Sequence, residues 1–238
     1  MVVSDDHFPE LSDRAIETAS NDLLESFFGR PVKPEDCPIP VELIAEQSLG
    51  YELDIVADDI YEDPDMLGGI HFDKKIIQIN QSVAEHLGRY SYTIAHEIAH
   101  HVLHSKIYAT NENNSDEAAI PPLTNRKPKM EVQADRFASA LLLPKELIQI
   151  AIEVTGVQRQ LERYRSVYEV TSDLEAIIKA GQFTNVSKTA LINRLIHLNY
   201  LPHIPYQKNL AKPNFNRDGR WRFWFYILKK RLKAIFTR

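Results

Sequence analysis

The stretch RYSYTIAHEIAHHVLHSK, residues 89–106, decides how this chain is read. Its apolar and small side chains recur at helical spacing, which predicts one long helix. Inside it, His96-Glu97-Ile98-Ala99-His100 has the pattern HExxH. Imidazoles four residues apart lie on one helical face and can reach a single metal ion together. Glu97 is rotated by about 100° from His96, a position from which a carboxylate approaches water rather than the ion. Imidazole and carboxylate donors around an open tetrahedral site suit zinc. The competing reading is a solvated helix with scattered histidines, since the chain has nine His.

A third ligand separates the two readings. A metzincin would carry a third His ten residues after the first and a Gly before it. Those positions are Lys106 and Leu103 here, so that pattern is absent. A second predicted helix, MEVQADRFASALLL (130–143), offers Glu131 and Asp135, again four residues apart on one face. Glu131 is the expected third ligand. Asp135 is expected to accept a hydrogen bond from the outward ring nitrogen of His96 and so set its tautomer. This E-x-x-A-D arrangement downstream of HExxH resembles the thermolysin-like gluzincins. The plain alternatives are a helix acid favouring the N-terminal dipole for Glu131, and an ion pair with Arg136 or Lys129 for Asp135. Glu112, Asp116 and Glu117 are rival ligands in a stretch (107–129) without periodicity. His101 and His104 read as structural or exposed, with His104 too far along the axis for the same ion. Tyr92, one turn before His96, reads as core packing.

Working outward, residues 11–29 form an apolar-faced helix and 30–40 a proline-rich connector. Pro40 opens a short helix that ends near Gly50. YELDIV (51–56) reads as a strand, and LGGIHFD (67–73) with KIIQIN (75–80) as an antiparallel pair turning at Asp73–Lys74. DDIYEDPD (58–65) is an acidic loop. Gly68 and Gly69 allow close approach of a substrate strand at the edge, or mark a plain hairpin bulge. Beyond 143, Pro144 redirects the chain into another helix. Helices are also expected at 171–180 and 187–198, the second capped by Ser187.

Composition bounds the rest. The 238 residues include one cysteine, Cys37, so no intrachain disulfide forms and a reducing compartment, the cytoplasm, is expected. The opening MVVSDDHFPE has acids where a signal peptide carries basic residues, and no apolar run is long enough to span a membrane. Charge is uneven: residues 202–238 hold ten Lys or Arg and one acid, Asp218, whereas the rest holds 18 basic and 32 acidic residues. The tail RWRFWFYILKKRLKAIF sets Trp221, Phe225, Leu228, Leu232 and Ile235 on one helical face. It reads as a helix docked on the acidic body. Contact with a nucleic acid or an anionic membrane is the less favoured alternative.

YTIAHEIAHHVLH (92–104) followed by EVQADRFASALLLP (131–144) resembles the ImmA/IrrE metallopeptidases. PIPVELIAEQSLGYELDIV (38–56), GGIHFDKKIIQIN (68–80) and NVSKTALINRLIHLNYL (185–201) extend the resemblance over roughly residues 12–201. It implies an α+β fold: a minimal zincin-like core, mostly helical, with a small antiparallel or mixed sheet and a C-terminal helical segment. The expected division is 1–155 for the core, 156–201 for a helical segment partly like a helix-turn-helix, and 202–238 for the tail. It also implies a zinc endopeptidase with His96, His100 and Glu131 as ligands and Glu97 as general base. Its substrate would be a protein such as an XRE-type repressor. Two departures are the lack of a fused N-terminal helix-turn-helix domain and the apparent additions at 107–129 and 202–238. The rival class is a non-catalytic, zinc-stabilised regulator that binds DNA, because VSKTALINRL resembles half a helix-turn-helix and the tail is basic.

Overall fold

The computed structural model describes residues 9–57, 67–110 and 129–206. The acidic loop 58–65, the rival acids Glu112, Asp116 and Glu117, and the aromatic face of the tail lie outside the described residues. The fold is α+β, with a small mixed sheet among many helices.

Helix α1 (Asp13–Phe28) begins where the Ser12 hydroxyl accepts the Ala15 amide, and ends at Gly29 with φ 68°. It buries Ile16, Ser20 and Leu24. After the proline-rich connector, α2 (Val41–Leu43) runs into a π-helical turn, Ile44–Ser48. Strands β1 (Glu52–Val56), β2 (Gly68–His71) and β3 (Ile76–Asn80) follow. Their order is β1-β3-β2, with β1 parallel and β2 antiparallel to the central β3. The expected antiparallel pair is therefore present, but its turn takes four residues, 72–75, and Lys75 adopts φ 54°. Ile77 and Ile79 of β3 are fully buried, as befits the middle strand.

Gly68 has a definite packing role. A Cβ there would stand 2.7 Å from the Gln78 carbonyl oxygen and 2.7 Å from Thr93 Cγ2. The close approach that this glycine permits is thus to β3 and to the helix behind the sheet. It supplies no evidence for a substrate strand.

After α3 (Gln81–Ala84) comes α4 (Leu87–Ala99), packed on β2 and β3. The predicted single helix over 89–106 is interrupted. A π-helical turn, His100–His104, follows Ala99, and α5 (Ser105–Thr110) continues from it. A widening confined to one turn barely disturbs apolar periodicity, which is why the pattern does not reveal it. Helix α6 (Lys129–Leu142) packs against both α4 and α1. Ala95 and Ala99 on α4, and Ala134 and Ala138 on α6, are fully buried at i, i+4 spacing, so these stripes add no bulk between the helices.

Pro144 redirects the chain into α7 (Lys145–Thr155), closed by Gly156 at φ 68°. The short α8 (Gln158–Leu161) has too few residues to show a period and was not expected. Helix α9 (Thr171–Ala180) and α10 (Lys188–His197) match their expected positions, and the Ser187 hydroxyl accepts the Ala190 amide at 3.1 Å. One hydrophobic cluster runs from Ile16 to Ile204. No helix among the described residues is long and apolar enough to cross a membrane.

Candidate metal centre

Helix α4 brings His96 to the junction with the π-turn, where His100 follows one turn later. Glu131 enters from the first turn of α6. His96 Nε2 and His100 Nε2 are 3.1 Å apart. Glu131 Oε2 lies 3.2 Å from His96 Nε2, and its Oε1 lies 3.4 Å from His100 Nε2. Among the described residues these three form the group whose donor atoms converge closely enough to hold a metal ion, all within 4.8 Å of one another. The acid is largely shielded, so the reading of Glu131 as an exposed helix acid does not describe its surroundings.

Asp135, one turn along α6, places Oδ1 3.1 Å from His96 Nδ1. A carboxylate there accepts the Nδ1–H and leaves the Nε2 lone pair directed at the convergence point. Of the two alternative partners for Asp135, Arg136 is paired with Asp13 of α1. Tyr92 donates its phenol proton to the Asp135 carbonyl at 3.3 Å, so it braces α6 from the core.

The electrostatics favour positive charge at this point. Burial works against a charged His96, yet hydrogen bonds to Asp135 and Glu131 and the nearby Glu97 push its pKa up to about 10. Burial also works against a charged Glu131, but its interactions with His100 and His96 hold its carboxyl well below the usual carboxylate range. Two imidazole nitrogens and a carboxylate that converge in a setting which favours a cation fit a divalent metal with nitrogen and oxygen ligands. Glu97 is buried beside them. Burial pushes its pKa up, against the charges of His96 and His100. That direction moves a carboxyl toward the range in which it exchanges protons near neutral pH.

Two residues near the site, His71 and Tyr108, belong to no ligand pattern in the sequence. His71, at the end of β2, is held by Gln78 at 2.9 Å, and its charge acts on Glu97. Tyr108 on α5 stacks on Phe72 with centroids 5.0 Å apart, and burial and the charges of Glu131 and Glu97 raise its pKa. Its phenol donates to Met130 Sδ at 3.6 Å. His101 turns away, with Nδ1 3.0 Å from the Tyr51 hydroxyl. His104 is fully buried, 3.2 Å from His100 through the two Nδ1 atoms, and burial lowers its pKa to about 4.

An HExxH helix laid on a small mixed sheet, with a glutamate supplied by a following helix, defines the zincin-like class. Residues 59–196, more than half of the chain, match the IrrE N-terminal-like domain, Peptidase_M78. The chain belongs to this ImmA/IrrE family of metallopeptidases. No curated protein matches it. Among solved structures, one described as a Mycobacterium tuberculosis transcriptional regulator is similar at 19% identity, with a TM-score of 0.43. The match covers 77% of this chain and 46% of that one, so the chain spans less than half of that protein's length.

Proposed function

We propose that this protein is a zinc-dependent endopeptidase that cleaves a regulatory protein, with an XRE-type helix-turn-helix repressor as the substrate. The convergence of His96 Nε2, His100 Nε2 and the Glu131 carboxylate beside a buried Glu97 carries this reading. His96, His100 and Glu131 hold the ion, and Asp135 orients His96. When bound, zinc supplies Lewis acidity that polarises a scissile carbonyl and acidifies water. Glu97 takes a proton from the attacking water on its carboxylate and delivers it to the leaving amine. Among the described residues β2 pairs with β3 alone, and its other edge is where an extended substrate backbone would add.

The chemistry is assigned to residues 1–155, with 156–201 as a helical segment and 202–238 as an appended tail. The setting proposed is the cytoplasm, where Cys37, buried and raised to about 12 by that burial, stays a thiol. The rival reading, a non-catalytic DNA-binding regulator stabilised by zinc, needs α10 to present a recognition face. Leu191, Ile192, Arg194 and Leu195 of α10 are committed to the core, so such a face would have to come from the remaining positions of the helix.

The direct test is incubation of the zinc-loaded protein with the XRE-type repressor encoded nearest its gene. Fragments that appear with zinc and vanish with a chelator are expected. An intact repressor, together with zinc-independent retardation of duplex DNA, would favour the regulator.

A further inference from the structure

His104 lies outside the metal set, yet it is fully buried and has a polar partner on each side. The direction of its hydrogen bonds follows from the far end of the chain of contacts. Gln133 Nε2 donates to the Pro9 carbonyl at 2.8 Å. The amide therefore presents its oxygen, Oε1, to His104 Nε2 at 3.0 Å. An amide oxygen only accepts, so His104 carries its proton on Nε2. Its Nδ1 is then a lone pair, 3.2 Å from His100 Nδ1. For that contact to be a hydrogen bond, His100 must donate from Nδ1, which leaves the lone pair on its Nε2. That nitrogen is the one that faces His96 Nε2 and Glu131.

We propose that His104 and Gln133 are positioning residues, forming a relay from the Pro9 carbonyl that locks His100 in the tautomer whose Nε2 binds metal. The inference rests on the proposed metal centre. It gives the two imidazoles different supports. Asp135 accepts from His96 as a carboxylate, whereas His100 donates to a neutral-donor chain that ends on a backbone carbonyl. The relay also ties the segment ahead of α1 to a metal ligand, through Gln133, which lies on α6 between Glu131 and Asp135.

The test combines zinc affinity, measured by chelator competition, with the tautomers of the ring nitrogens, read by long-range proton–nitrogen NMR on the full chain. Wild type should show His104 protonated on Nε2 and His100 protonated on Nδ1, with or without zinc. The metal-free spectrum keeps the relay testable even if the chain proves to bind no zinc, an outcome that would count against the metal centre alone. His104→Phe keeps a ring but removes the acceptor, and its zinc affinity should fall about 10–100-fold. His104→Asn returns an acceptor, Oδ1, near the position of Nδ1 and should recover most of that loss. A role limited to filling space would give the opposite ranking, because Phe is nearer in volume. Unchanged zinc affinity in His104→Phe, or His104 protonated on Nδ1 in wild type, would overturn the proposal. If His104→Phe does not fold, the wild-type tautomers decide the matter.

Discussion

The protein contains two buried charged constellations that behave in opposite ways. On α10, Arg194 is fully buried and completely engaged: Nε donates to the Leu143 carbonyl at 3.0 Å, and both terminal nitrogens grip the Glu17 carboxylate of α1. Each charge there meets its opposite within the chain. Between α4 and α6, the Nε2 atoms of two imidazoles and the Glu131 carboxylate converge instead, all within 4.8 Å of one another. The first arrangement joins helices distant in sequence. The second gathers ligand-type atoms from two helices at a point where a metal ion could sit. Buried charge paired one to one within the chain is architecture, whereas ligand-type side chains that converge on one point are the arrangement a metal ion needs.

The sharpest way to probe this contrast is at Glu97, where the two constellations should respond most differently. Glu97→Gln should lower peptide cleavage by roughly 10²–10⁴-fold, the scale of general-base loss, while zinc content and melting temperature stay near wild type. Retained cleavage would remove Glu97 from the chemistry. Loss of zinc would make it a ligand.

Arg194→Ala should act on the fold alone. Removing one partner of a buried pair costs about 3–5 kcal/mol, so urea denaturation should show a loss of that size. Replacing both partners, Arg194→Met with Glu17→Leu, should recover much of it. A negligible loss in Arg194→Ala would show that the pair is not structural.

Effects on metal affinity should grade by distance from the convergence point. Glu131→Ala should weaken zinc binding by more than Asp135→Ala, for which about 10–100-fold is expected. Glu112→Ala and Glu117→Ala should leave it nearly unchanged. Equal affinity in Glu131→Ala and wild type, measured by competition, would mean that another residue closes the site.

The smallest effect is expected at the C-terminus. Leu201 and Ile204 are buried in the core, so a chain shortened for this test should end after Tyr206 rather than at Leu201. It should bind one zinc and keep its cleavage activity, by metal analysis and fragment assay. Loss of zinc from that well-folded chain would place part of the site in the tail.

Much of this contrast is legible in residue order, and the reason differs by element. Helices α1, α6 and α10 announce themselves by apolar period, and α10 also by Ser187 at its start. The strand pair follows from two short runs, the second rich in isoleucine, around a charged turn. The π-turn at His100–His104 and the four-residue α8 lack enough repeats to register as a period. Gly68 is visible as a glycine, but what it accommodates, Thr93 and the Gln78 carbonyl, is not.

By itself, the sequence determined which candidate ligands share a face, because i, i+4 spacing on a helix places side chains on one face regardless of what surrounds them. That covers His96 with His100, Glu131 with Asp135, and Glu97 beside the pair. The tertiary structure decided which faces meet: Glu131 across from His96 and His100, Arg194 against Glu17, and His104 between His100 and Gln133. These are contacts between helices, made across long sequence separations when α4, α6, α1 and α10 share one core. Local periodicity says which side of a helix is apolar or ligand-bearing, but not what packs against it.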